Sequence, residues 1–239
     1  MAGFKGAIFD MDGTLLESMV EWRKQNETFC VRHGLPVPEE LRGHILETSS
    51  HKAAKLFVEK YPQLGMTPDE IVAEYERCLE PLYCSVVQKK KGILEFLRML
   101  KDNGVRMCVA TTTAAPVARH ALEHHGIAPF MDFIIDNSSV GLSKGNPAYF
   151  PRVAGMLGLS ADDCVVFEDA EYAVTSAHEA GMRVFAVRDA CAHESWDAIA
   201  GKAVALRDDY TGLQPLIEAM FRADHVCTMQ LAGKECRDE

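Results

Sequence analysis

Five short stretches of this chain are apolar at every position: Ala7-Ile8-Phe9, Met107-Cys108-Val109-Ala110, Phe133-Ile134-Ile135, Cys164-Val165-Val166-Phe167 and Val184-Phe185-Ala186-Val187. A strand with one wet face alternates apolar and polar residues. An unbroken run needs cover on both faces, as in a parallel sheet flanked by helices. Helix-like segments separate the later runs. Pro116 suits the first position of a helix over 117–125. Gly104, Gly126, Gly158 and Gly181 stand where a helix end wants a left-handed residue. Strand and helix in alternation predict an α/β fold, a doubly wound parallel sheet.

The stretch 16–90 breaks this rhythm. It holds no convincing strand and reads as helices over 18–33, 38–47, 51–60 and 69–87, punctuated by Gly34, Pro36, Pro62, Gly65 and Pro68. Because the strand at 7–9 precedes it, the stretch reads as an insert and not a separate N-terminal domain. The expected division is a core of 1–15 and 91–239 with a helical insert at 16–90. The tail after Ala223 is polar and is expected to be loosely held.

With 48% hydrophobic residues the chain can bury a core, which excludes disorder as its main state. No apolar run approaches the roughly 18 residues of a membrane span. The 25 basic against 35 acidic residues leave a net charge of −10, poorly suited to nucleic acid or an anionic membrane. The compact basic run Lys89-Lys90-Lys91 reads as solvated surface. The eight cysteines include no CxxC, and Cys108 and Cys164 lie inside apolar runs, so reduced thiols and a cytoplasmic location are expected. The start of the sequence carries no long apolar segment of the secretory kind.

Polar residues gather where the strands end. The first run leads into Asp10-Met11-Asp12-Gly13-Thr14, the second into Thr111-Thr112-Thr113, and the fourth into Glu168-Asp169. In a parallel sheet these ends share one edge, where ligands bind. Four carboxylates converging there repel one another unless protons or a cation compensate. Oxygen donors of this kind suit Mg²⁺. For Asp10 and Asp12 taken alone, an ordinary turn closed by Gly13 is an equal reading. His124-His125 reads as surface, because adjacent helical residues point about 100° apart.

Taken in order, these motifs resemble the haloacid dehalogenase (HAD) superfamily. Asp10-Met11-Asp12-Gly13-Thr14 resembles its first signature, Thr111 its strand-ending Ser/Thr, Lys144 in Ser143-Lys144-Gly145-Asn146-Pro147 its Lys-Pro-x-Pro, and Glu168-Asp169 its acidic metal motif. The likeness runs from about residue 6 to 190. The helical insert is similar to the cap of the subgroup that includes β-phosphoglucomutases and small-metabolite phosphatases.

The resemblance implies a Rossmann-like core with an α-helical cap. It implies Mg²⁺ as cofactor and phosphoryl transfer through an aspartyl-phosphate. Asp10 would be the nucleophile and Asp12 the general acid and base. Thr111, with Thr112, would bind the phosphoryl group, and Lys144 would supply positive charge. Asp10, Asp12 (through its main-chain carbonyl), Glu168 and Asp169 would hold the metal. The substrate implied is a small phosphorylated metabolite such as a sugar phosphate, with no nucleic-acid or membrane partner. The chain would be a monomer or a homodimer.

Two departures bear on these expectations. The motif around Lys144 lacks its first proline and its aspartate, which predicts a looser loop. In the insert, Trp22 and His51 stand where β-phosphoglucomutases carry a histidine and an arginine, which argues against mutase chemistry. Trp22 reads either as a wall facing substrate or as cap packing. His51 reads either as a substrate contact or as a solvated helix start. The rivals to a phosphatase are a β-phosphoglucomutase-like mutase and a non-catalytic metabolite-binding protein on the same fold.

Overall fold

The computed structural model describes residues 3–41, 50–189 and 196–221. The strands are β1 Gly6–Phe9, β2 Arg106–Thr111, β3 Phe133–Asp136, β4 Cys164–Glu168, β5 Arg183–Val187 and β6 Ala205–Arg207. The helices include α1 Met19–His33, α2 Ser50–Lys60, α3 Pro68–Tyr83, α4 Ile93–Asp102, α5 Ala115–His124, α6 Asn137–Val140, α7 Tyr149–Met156, α8 Glu171–Glu179 and α9 Trp196–Ala200.

All strand pairings are parallel, in the order β3-β2-β1-β4-β5-β6. The chain winds outward from β1 in one direction through β2 and β3, then in the other through β4, β5 and β6. The reversal lies between β1 and β4, where an open sheet leaves a crevice at its C-terminal edge.

Apolar side chains pack on both faces. Ala7, Phe9, Phe167 and Phe185 belong to one cluster with Phe96, Leu97 and Leu122, and Ile8, Val166 and Val184 to another with Phe150, Val153 and Val174. This two-sided burial is the physical reason the strand sequences do not alternate. A third cluster, built on Phe29, Phe57, Ile71 and Tyr75, lies among α1, α2 and α3. Trp22 packs against both this cluster and the one containing Phe9.

The chain leaves the sheet and returns to it side by side. Leu16 and Lys89 form an antiparallel bridge. Glu17 N donates to Gln88 O at 2.8 Å, and Lys90 N to Leu15 O at 2.9 Å. The expected helix 69–87 ends early, at Tyr83: residues 84–86 form a turn in which Ser85 N, Val86 N and Val87 N all donate to Leu82 O, and the pairing follows it. Thr67 caps the helix start, accepting from Glu70 N while Glu70 reaches back to Thr67 N.

The pairing overturns the surface reading for one residue of the basic run, Lys90, while Lys89 and Lys91 are exposed as expected. Lys90 is turned inward with its side chain 1% exposed, and Nζ donates to Glu17 Oε2 and to Arg188 O, both at 2.9 Å. His125 is likewise buried, with Nε2 2.9 Å from Tyr83 O, whereas His124 is exposed. His125 caps the C-terminus of α5, where the backbone turns and carries the ring inward.

Other departures are smaller. β6 has no counterpart in the sequence reading: it is a three-residue strand, half-exposed, in which Arg207 follows the apolar Ala205 and Leu206. Of the helix expected over 38–47, Glu39–Leu41 forms a 3-10 turn and 42–47 lies outside the described residues. So do the tail after Ala223 and Cys191, Cys227 and Cys236. Gly104, Gly126, Gly158 and Gly181 all take positive φ. No described helix is long and apolar enough to cross a membrane.

Candidate active site

β1 and β4 run in register, Phe9 beside Phe167, and Asp10 N donates to Phe167 O at 3.0 Å. The ladder therefore delivers Asp10 next to Glu168 and Asp169 at the crevice between the two strands. One oxygen each from Asp10, Glu168 and Asp169 lie within 4.8 Å of one another, and all three residues are buried.

Gly13 makes the approach of Asp169 feasible. Its φ is +85°, and an added Cβ would overlap the Asp169 carboxylate, with Cγ only 2.7 Å away. Thr14 Oγ1 donates to Asp169 Oδ1 at 3.3 Å from the same turn.

Lys144 supplies a cation within the cluster. Its Nζ donates to Asp10 Oδ1 and, at 2.8 Å, to Glu168 Oε1. The other oxygen of Glu168 accepts from Asp169 N and Ala170 N, both at 2.9 Å. Glu168 therefore braces the lysine on one side and the strand-end turn on the other.

The loop carrying Lys144 is not loose despite its missing proline. Ser176 Oγ donates to Lys144 O, Asn146 N to Ser143 O at 2.9 Å, and Ala148 N to Asn146 Oδ1 at 2.9 Å. Hydrogen bonds supply the restraint that a ring would have given.

Burial, reinforced by Glu168 and Asp12 and opposed by Lys144, pushes the Asp10 carboxyl up to about 7. Burial, then the charges of Glu168, Asp10 and Asp189, hold Asp169 well above the ordinary carboxylate range. Burial works against the charge of Lys144, but Asp10 and Glu168 outweigh it and hold the ammonium well above its usual range. The cluster carries more negative charge than one lysine neutralises. Three buried carboxylates in reach of one another make a donor set suited to a hard divalent cation such as Mg²⁺.

Asp12 faces a different environment. Ser18 Oγ and Tyr83 Oη each donate to Oδ1 at 2.6 Å, and Thr113 Oγ1 donates to Oδ2 at 2.7 Å. Trp22 Nε1 donates to Tyr83 Oη at 3.0 Å. Sequence reasoning missed Ser18, Tyr83 and Thr113. Thr113 alone left a trace, as the third hydroxyl residue after β2.

Thr111 ends β2, fully buried, and its Oγ1 accepts from Thr113 N at 3.1 Å. Thr112 is exposed. Trp22 is half-buried, bonded to Tyr83 and packed between two clusters. His51 is 61% exposed at the start of α2, with Nε2 3.3 Å from Asp69 Oδ1. The site thus gathers Asp10, Asp12, Lys144, Glu168 and Asp169 at one strand edge, joins Trp22 to it through Tyr83, and leaves His51 on the surface.

Comparison with known proteins gives consistent results. Residues 7–187 match the family described as haloacid dehalogenase-like hydrolase. Hexitol phosphatase A of Escherichia coli K12 is 30% identical over 185 residues, 77% of this chain and 82% of that protein. Fructose-1-phosphate phosphatase YqaB of the same organism is 27% identical over 187 residues, 77% of this chain and 97% of that protein. CbbY from Rhodobacter sphaeroides, solved in complex with phosphate, superposes with a TM-score of 0.73 at 21% identity, covering 87% of this chain and 95% of that one. At that identity the superposition speaks for the fold.

Proposed function

This chain belongs to the haloacid dehalogenase-like hydrolases, and from that premise we propose that it is a Mg²⁺-dependent phosphatase of small phosphorylated metabolites, working through an aspartyl-phosphate on Asp10. The carrying observation is that Asp10 lies within one buried cluster with Glu168, Asp169 and Lys144, while Asp12, two residues on, is held apart from it by hydroxyls. The two carboxylates of one turn thus have different partners, as two different roles require.

In the first half-reaction Lys144 occupies Asp10 Oδ1, and attack is assigned to Oδ2. A bond forms from Oδ2 to phosphorus as the bond from phosphorus to the leaving oxygen breaks, and Asp12 gives that oxygen its proton. In the second half-reaction Asp12 takes a proton from water, the water oxygen attacks phosphorus, and the Asp10 carboxylate is released. Lys144 stabilises charge on the transferring group, and Thr111 and Thr112 offer hydroxyls at the adjacent strand end. Asp10, Asp169, the Asp12 carbonyl and Glu168, directly or through water, would hold the metal. When bound, the cation would neutralise charge on the phosphoryl oxygens and on the cluster.

Residues 16–90 act in this reading as a cap that excludes water and selects the leaving group. The phosphatases named above support a polyol or sugar phosphate as the substrate class. A panel of such esters assayed for released phosphate, with and without Mg²⁺, tests the proposal. Asp10→Asn should abolish turnover while the fold survives. An active Asp10→Asn protein contradicts the nucleophile.

A further inference from the structure

Ser18 Oγ and Tyr83 Oη both donate to Asp12 Oδ1, at 2.6 Å, and the direction of the Tyr83 bond is fixed by its other partner. An indole N–H only donates, so Trp22 Nε1 makes the Tyr83 oxygen its acceptor, at 3.0 Å. The phenolic hydrogen is then directed to Asp12 Oδ1, at 2.6 Å. Tyr83 itself has little freedom. It is the last residue of α3, its ring lies buried in the cluster that contains Phe9, and its carbonyl is 2.9 Å from His125 Nε2. Thr113, which donates to Asp12 Oδ2, is different in kind. Its hydroxyl is a rotor that donates or accepts, so it can turn to follow a proton on Oδ2.

We infer that Tyr83, oriented by Trp22, is a positioning residue that keeps Oδ1 of Asp12 an acceptor throughout the cycle, so that Oδ2 is the oxygen that gives and takes the proton. The inference rests on the reading of Asp12 as general acid and base. It also gives Trp22 a role that needs no contact with substrate.

A misaimed acid matters only where the leaving group needs a proton. The 4-nitrophenolate ion departs unassisted, whereas an alkoxide does not. The test is kcat/KM, which reports the first half-reaction, for glycerol 1-phosphate and 4-nitrophenyl phosphate in the wild type, Tyr83→Phe, Trp22→Phe and Asp12→Asn. General acids contribute roughly a hundred- to ten-thousandfold. Tyr83→Phe should therefore lose about tenfold or more on the alkyl ester beyond its loss on the aryl ester. Trp22→Phe should show the same selective loss to a smaller degree, and it carries the test if thermal melting shows Tyr83→Phe to be unfolded. Equal losses on both esters, or none on either, would overturn the inference and leave Tyr83 a packing residue. An Asp12→Asn protein without ester selectivity would overturn it from beneath, by removing the acid that Tyr83 aims.

Discussion

Lys144 Nζ lies 2.8 Å from Glu168 Oε1, with both side chains 1% exposed. The same ammonium bonds Asp10, so one buried cation holds two carboxylates from neighbouring strand ends. Breaking a buried pair from one side leaves uncompensated charge and costs about 3–5 kcal/mol. Lys144→Met should therefore lower the thermal midpoint of the metal-free protein markedly and cut kcat by about a hundredfold or more. Calorimetry and steady-state kinetics check both. A stable, active Lys144→Met protein contradicts the assignment.

Metal and pH should act on the same carboxylates. Burial lifts Asp10 to about 7 and Asp169 well above the ordinary range, while in the unfolded chain both titrate near 3.8. The folded state then holds protons the unfolded state releases. This contribution is fully present below about pH 4 and is lost as pH rises through 7. A bound divalent cation takes the place of those protons. Mg²⁺ should accordingly raise the melting temperature more at pH 8 than at pH 5. An equal shift at both values, or none, contradicts the metal site.

His125 should show a dependence of opposite sign. Burial depresses its pKa below the ordinary 6.5. The unfolded chain gains a proton first as pH falls, so stability present above about 6.5 declines below it. His125→Gln should flatten the part of the stability profile between pH 6.5 and 5. Urea titrations at several pH values measure the slope, and an unchanged slope rules out this origin.

Gly13 offers a steric test. Its positive φ disfavours any side chain, and a Cβ there would overlap the Asp169 carboxylate. Gly13→Ala should cost about 1 kcal/mol or more for the backbone alone and should weaken Mg²⁺ binding by displacing Asp169. Isothermal titration with Mg²⁺ separates the two effects. Wild-type affinity in a folded Gly13→Ala protein would show that Asp169 is not a ligand.

What the sequence disclosed follows the range of the forces involved. Ile8, Val166 and their neighbours announced the sheet because burial on both faces marks every residue of a strand. Asp10 and Glu168 were visible because each ends such a strand, and the parallel register brings their ends together. β6 escaped because it is an edge strand of three residues, half-exposed, and only two of them are apolar.

The hydroxyls on Asp12 escaped for a different reason. Tyr83 lies 71 residues from Asp12 in the chain and meets it only through tertiary packing. Lys90 looked like surface within a run of three lysines. What buries it is the pairing of the two connections at Leu16 and Lys89, which local composition does not encode. The Lys144 loop lost a proline from the family pattern but kept its shape through Ser176, a partner 32 residues away.

The central claim is that phosphorus is attacked by the carboxylate of Asp10. Acid quenching during turnover of a phosphate ester, followed by peptide mapping, tests this most directly. The account predicts a phosphoryl group on Asp10 that forms when Mg²⁺ is present and fails to form in EDTA. Label on another side chain, or turnover unaffected by EDTA, would contradict it.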